Sequence, residues 1–136
     1  MNKIKLACVA SILLSGIASA APSCDSFQIR LKNNLADDLE ITKIKLSNAQ
    51  IQPGTFAHLK SKTEQVFTVN GTTEGLAMYG QFTMRTLSLP SKTVKVKYNL
   101  ENTTAACVHT DRSPQGDYAL EKTRTPGEVQ YSINNQ

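Results

Sequence analysis

The chain is poor in the residues on which many functions depend. Its 136 residues include no tryptophan, two histidines and three cysteines, and the net charge is only +4. So few imidazoles leave little material for a histidine-based catalytic centre, and so small a charge excludes a polybasic nucleic-acid tail. The length favours one domain, and an apolar fraction of 40% is sufficient for a packed core.

The N-terminus resembles an export signal. Lys3 and Lys5 precede an apolar run of about 13 residues, which is shorter than the roughly 20 residues of a membrane-spanning helix. Ala18-Ser19-Ala20 then supplies the small residues of a signal-peptidase site. We therefore expect a cleaved signal peptide over residues 1–20 and a secreted or periplasmic domain over residues 21–136. The short, lysine-led signal is typical of bacteria.

Cleavage changes the charge and the cysteine count. Loss of Lys3 and Lys5 leaves 13 basic and 11 acidic side chains, a net charge of +2. Cys24 and Cys107 remain, and in an oxidising compartment each has one intramolecular partner. A metal site or a reactive thiol is the alternative, but two cysteines without a Cys-x-x-Cys motif do not complete a tetrahedral site. The sequence therefore predicts a Cys24–Cys107 disulfide.

Alternation of apolar and polar residues dominates the chain. It is clearest at residues 27–31, 94–100 and 129–133, and a change of parity near Thr42 or Lys43 predicts a β-bulge. A helix over Leu35–Leu46 is the alternative for that stretch, but its β-branched residues favour a strand. Short strands with turn signals between them predict an all-β, antiparallel two-sheet sandwich of about 7–9 strands, with one disulfide.

Two weaker segments complete the pattern. Residues 112–128 contain two prolines and two glycines, which predicts a long connection with a short strand around Tyr118. Gly80 interrupts a strand, which is typical of a bulge, a bend or a close approach of another backbone.

The chain has four tyrosines, at positions 79, 98, 118 and 131, which would stack on sugars if they were clustered and exposed. Tyr98 and Tyr131 share the parity of core residues, so we expect these two to be buried.

Basic residues occur in pairs two positions apart. On a strand this spacing places both charges on one face, and neighbouring strands would combine them into a cationic surface for anionic lipid heads or acidic glycans. The alternative is that outward lysines only keep the sheet surfaces soluble. The candidate anion-binding residues are Arg30 and Lys32, Lys43 and Lys45, Lys60 and Lys62, and Lys95 and Lys97.

Signals of catalysis are weak. His58, His109 and Asp111 are the only set that suggests a hydrolase or metal enzyme, and the hypothesis requires all three to meet in one pocket. The chain has no Gly-x-Ser-x-Gly nucleophile motif and no phosphate-binding glycine loop. We therefore expect a non-enzyme with no catalytic residue, metal or cofactor.

Two stretches are similar to a known family. Asn70–Tyr79, with its Gly-Thr-Thr-Glu-Gly core, resembles the Gly-Thr-Glu-Gly segment of the aegerolysins, and Ile29–Leu46 resembles their first two strands around an Asn-Asn turn. This resemblance implies a small β-sandwich that recognises membrane lipids, in some members together with a pore-forming partner. Aegerolysins use tryptophans at the lipid surface, and this chain has none, so no lipid-contacting residue carries over.

The sequence therefore predicts a secreted binding module for an anionic lipid or glycan at a cell or membrane surface. The first alternative is a module that docks on a cell-surface or host protein through a strand edge. The second is the histidine-dependent enzyme. We expect no nucleic-acid partner and no transmembrane segment after cleavage.

Overall fold

The structure, a computed structural model, describes residues 24–136 and contains ten strands in this part of the chain. The predicted signal peptide lies outside the described residues. The strands are β1 (Phe27–Asn33), β2 (Leu39–Ser47), β3 (Ala49–Gln52), β4 (His58–Leu59), β5 (Glu64–Gly71), β6 (Met78–Thr86), β7 (Thr93–Asn102), β8 (Cys107–Asp111), β9 (Ala119–Thr125) and β10 (Glu128–Asn134).

The strands form two five-stranded sheets. We call the first the β1 sheet, with the order β3-β5-β1-β10-β9, and the second the β6 sheet, with the order β4-β2-β6-β7-β8. All neighbouring strands run antiparallel except β1 and β10, which are parallel. The predicted all-β sandwich is confirmed, with more strands than expected and one parallel pair.

Two strands differ from the sequence-based expectation. The short strand predicted around Tyr118 is the seven-residue β9, which begins one residue later, and Tyr118 itself is buried just before it. β3 was not predicted at all. Both strands lie at edges of the β1 sheet, where β9 exposes five consecutive residues and so lacks alternation.

The predicted β-bulge is confirmed in β2. Its register against β6 shifts between Ile41 and Lys43. Before the shift Leu39 is buried, and after it the partly buried Ile44 and Leu46 pack against the core. Because side chains alternate along a strand, the bulge leaves Lys43 and Lys45 on the outer face.

The core lies between the sheets and contains the alternating residues of both. Phe67 of the β1 sheet stacks on Phe82 of the β6 sheet, with ring centroids 5.0 Å apart. Tyr98 and Tyr131 are buried, as their parity predicted. The Leu87 and Leu89 side chains follow the end of β6 at Thr86 and are exposed.

The predicted disulfide is present. Cys24 and Cys107 have Cα atoms 4.9 Å apart and are 83 positions apart in the chain. Cys24 precedes β1 of one sheet and Cys107 begins β8 of the other, so the bond connects the two layers. Within residues 24–136, no helix is long and apolar enough to cross a membrane.

Candidate functional site

Two of the four basic pairs lie on the same outer surface. In the β6 sheet, β6 separates β2 from β7, so that Lys43, Thr83 and Lys95 form one cross-strand row. Lys45, Gln81 and Lys97 form the next row. We call the surface made by Lys43, Lys45, Lys95 and Lys97 the basic face. All four side chains are exposed.

The lysines of the basic face have no neutralising partner among the residues that the structure describes. Among residues 24–136 the ion pairs are those of Arg30 with Glu64 and Glu128, and of Arg85 with Glu40. The Arg85–Glu40 pair, at 2.9 Å, lies in the row beyond Thr83 and contributes no net charge. The basic face therefore carries four uncompensated positive charges in a protein whose predicted mature net charge is only +2.

The other two basic pairs lie elsewhere. Arg30 is in the β1 sheet, where its guanidinium is 2.6 Å from Glu64 and 3.1 Å from Glu128. Hydrogen bonding to Glu128 raises the pKa of Arg30, so its guanidinium stays charged. The carboxylates of Glu64 and Glu128 neutralise this charge locally. Lys32 lies two residues further along the same strand. The eight predicted residues therefore do not form one continuous face.

Lys60 and Lys62 lie in the turn after β4 rather than on a strand. Lys62 has a φ of 60° and donates its ammonium to the Asn34 carbonyl oxygen at 2.6 Å. The alternation assumed for this pair does not apply in a turn, so these two lysines are not part of the basic face.

A shallow depression of about 180 Å³ lies within the basic face. It is lined by Lys45 and Lys97 on two sides, by Tyr79 and Gln81 of β6 and by Ser47 of β2. Tyr79 is 44% exposed. We call this depression the Tyr79 cleft. Outside the cleft, Arg112 continues the row beyond Lys97, donating its backbone N–H to the Lys97 carbonyl at 2.7 Å.

The proposed histidine-dependent site does not assemble. His58 is on β4 and His109 on β8, which are opposite edges of the β6 sheet. Four strand spacings separate them, or about 19 Å. In the described part of the chain no three His, Cys, Asp or Glu side chains are grouped to hold a metal ion. The requirement that His58, His109 and Asp111 share one pocket is not met.

His109 instead contributes to packing between the sheets. Its ring stacks between Phe27 and Tyr98, each 6.2 Å away, and its Nε2 lies 2.7 Å from the Tyr131 hydroxyl. Burial, with the nearby Lys122 and Arg124 charges, lowers the pKa of His109 to about 4. The imidazole is therefore neutral at physiological pH and acts as a packed aromatic group.

The sequence pointed to part of the cleft but not to its assembly. The spacing of the basic pairs predicts outward charges at Lys45 and Lys97, whereas the sequence predicts sugar stacking for an exposed tyrosine without distinguishing Tyr79 from Tyr118. Of the four tyrosines, Tyr79 is exposed, while Tyr98, Tyr118 and Tyr131 are buried. Strand order, which brings Tyr79 between the two lysines, is the missing information.

No protein-family model matches the chain, and no curated protein matches it. A solved structure does: the crystal structure of RahU protein in complex with a TRIS molecule has a TM-score of 0.57 and 12% sequence identity to this chain. The similarity covers 82% of this chain and 97% of that one. At this identity, the likeness shows a common fold.

Proposed function

We propose that the protein is a secreted, non-catalytic binding module that attaches to an anionic cell or membrane surface through its basic face. The observation that carries this proposal is the two cross-strand rows, whose four exposed lysines form no ion pair with any residue of 24–136. The occupant would supply the missing negative charge as lipid phosphates or as the acidic groups of a glycan.

The arrangement of the lysines supports binding over simple solubility. Like charges in adjacent rows repel one another, and neither of the two rows, Lys43–Thr83–Lys95 and Lys45–Gln81–Lys97, includes a carboxylate to offset them. A surface that only maintains solubility usually mixes the two signs. An anionic ligand would relieve the repulsion, and its attraction would weaken as salt screens the charges.

The test is charge reversal on the face. The Lys95→Glu/Lys97→Glu variant should bind vesicles rich in anionic phospholipid, or immobilised heparin, about tenfold or more weakly than the unmodified protein at low salt. Neutral vesicles provide the reference for binding that does not depend on charge. Running both anionic probes decides between the lipid and glycan sources.

The matched control is the Lys60→Glu/Lys62→Glu variant. It changes the net charge equally, but both lysines lie in the turn after β4, away from the basic face. It should retain most of the binding. Equal losses in both variants, or no salt-dependent binding by the unmodified protein to either probe, would overturn the proposal.

The likeness to aegerolysins supports the same class of function. Asn70–Tyr79, the stretch that carries most of the resemblance, ends at the exposed tyrosine of the Tyr79 cleft. We propose an aegerolysin-like relationship on this basis. The sandwich fold shared with RahU is compatible with it.

Docking on a protein through β9 is the second candidate. Of the strands that the structure describes, β9 pairs with β10 alone, and residues 121–125 are exposed. Such an edge accepts an added strand through main-chain hydrogen bonds. In that case, binding would be insensitive to charge reversal at Lys95 and Lys97, so the same variant separates the two candidates.

A further inference from the structure

We infer that the Tyr79 cleft is a subsite for a single sugar residue carrying a sulfate or phosphate ester. This inference rests on the proposed function, since it takes the basic face as the binding surface, and it adds a ligand class that charge alone does not specify. The cleft combines cations, an exposed aromatic ring and neutral polar groups at one position in the fold.

The two ammonium groups are placed to bind one anion. Lys45 and Lys97 both pair with Gln81, on its opposite sides. Adjacent strands are about 4.8 Å apart, so the two lysine Cα atoms are separated by about 10 Å. Each side chain is long and flexible, and neither forms an ion pair with a carboxylate in the described part of the chain, so both ammonium groups can converge on a tetrahedral anion above Gln81.

Tyr79 adds to the two charges an aromatic surface on which a sugar ring can stack. It lies one row beyond Gln81, between Ser47 of β2 and Asn99 of β7. Its ring is exposed beside the two lysines. A tyrosine offers a rigid apolar surface with a polar edge, which suits the apolar face of a sugar ring and its hydroxyl groups.

The neutral groups around the ring favour a hydroxylated ligand over a bare anion. The Ser47 hydroxyl and the Gln81 amide line the depression, and Gln81 is oriented by donating its amide to the Thr83 hydroxyl at 3.3 Å. Asn99 borders Tyr79 on the other side. When the Asn99 amide is oriented with its oxygen facing Arg112, that oxygen accepts a hydrogen bond from Arg112 Nη1 at 3.2 Å. These groups donate and accept hydrogen bonds as sugar hydroxyls do.

The size of the cleft limits the ligand. At about 180 Å³ it is smaller than the roughly 300–1,000 Å³ of pockets that enclose a whole drug-sized ligand. It therefore takes one ring and its ester group, while the rest of a longer glycan would extend over Lys43 and Lys95. Glycerol and serine headgroups of phospholipids have no ring to stack on Tyr79, so contact with this ring distinguishes a glycan ligand from a bilayer of those lipids.

The test compares an esterified sugar with the free anion. Titration of the full folded domain with N-acetylglucosamine 6-sulfate, its 6-phosphate and inorganic sulfate, followed by amide NMR shifts, measures each affinity. We expect the sugar esters to bind about fivefold to tenfold more tightly than inorganic sulfate, with shifts at residues 79–81 and 97. The relative affinity of the two esters identifies the source of the anion.

Variants assign the preference to the ring. Tyr79→Ala should abolish the preference for the sugar ester over inorganic sulfate, and Tyr79→Phe should restore most of it. The control is Leu89→Ala, which removes a side chain that is 50% exposed at the β6–β7 turn. This variant should keep the preference for the sugar ester. An equal preference in Tyr79→Ala and the unmodified protein would overturn this inference.

The outcomes for the inference and for the proposed function are separable. Salt-dependent binding of heparin or anionic vesicles without any preference for the sugar esters would reject the saccharide subsite and retain the basic face. Absence of salt-dependent binding to any anionic probe would reject both.

Discussion

The Tyr98 ring occupies the space beside Gly80. The two residues are directly paired between β6 and β7, and a Cβ atom added to Gly80 would overlap the ring and hydroxyl of Tyr98. The sequence suggested a bulge, a bend or a close approach of another backbone for a glycine inside this strand, whereas the structure shows the close approach of a side chain. Because Gly80 lies between Tyr79 and Gln81, the same strand segment positions both the core ring and the outer cleft.

Replacing Gly80 with alanine should destabilise the protein. The added methyl group would force the buried Tyr98 ring to move, and overpacking of this kind typically costs about 1–3 kcal/mol. The free energy of unfolding in urea measures the effect. Gly54→Ala is the control, because its nearest contact would be the Ile51 carbonyl oxygen at an ordinary 3.7 Å. An unchanged unfolding midpoint for Gly80→Ala would contradict the proposed clash.

Removing the Tyr98 hydroxyl should leave stability unchanged or increase it by up to about 1 kcal/mol. This hydroxyl is buried without a hydrogen-bond partner among the described residues, and burial raises the pKa of its phenol group. Urea unfolding of Tyr98→Phe provides the test. Tyr131→Phe, which removes the 2.7 Å bond to His109, should instead lose about 1 kcal/mol. A comparable loss in Tyr98→Phe would reveal a partner for its hydroxyl.

Local patterns allowed prediction of individual strands but not of their neighbours. The bulge in β2 and the alternation in β7 are visible in the sequence because burial on one face imposes a period of two. The basic face depends instead on β6 lying between β2 and β7, which is a long-range pairing. No periodicity encodes that order, so the sequence could not distinguish Lys43 and Lys45 from Arg30 and Lys32.

The burial of a polar side chain, His109, was the second feature that the sequence did not predict. His109 follows the exposed Val108 in a segment with polar neighbours, which hides its burial. The one signal that could have linked it to Phe27 is the predicted disulfide, since Cys107 and Cys24 lie two and three residues before these rings, but the disulfide does not show that the rings stack. The histidine therefore suggested a ligand or a surface residue, and its packing role required the tertiary structure.

Opening the Cys24–Cys107 bond should reduce stability strongly. The bond closes a loop of 83 positions and, on the chain-entropy account, contributes about 4–5 kcal/mol by restricting the unfolded chain. The Cys24→Ser/Cys107→Ser variant should therefore unfold at a much lower urea concentration than the oxidised protein. Adding reductant should lower the midpoint of the unmodified protein and leave that of the double variant unchanged. Equal midpoints for oxidised and reduced protein would contradict a stabilising role.

His109 should make the stability of the protein depend on pH. Its pKa is lowered to about 4 in the folded state, chiefly by burial, while an unfolded histidine titrates near 6.5. Lys122 and Arg124 also disfavour its protonation, and Asp111 favours it. Between these two values the unfolded chain binds a proton that the folded chain does not, so stability falls as the pH decreases from about 6.5 towards 4.

Replacement of His109 isolates this contribution from that of the carboxylates. Unfolding midpoints in urea between pH 7.5 and 4.5 should decline less steeply for His109→Gln than for the unmodified protein, even if His109→Gln is less stable at pH 7.5. His58→Gln is the matched control, because His58 is exposed at the opposite edge of the same sheet. It should retain the full slope. Parallel curves for His109→Gln and the unmodified protein would show that carboxylates alone cause the loss, because removal of the buried imidazole would then leave the proton uptake on unfolding unchanged.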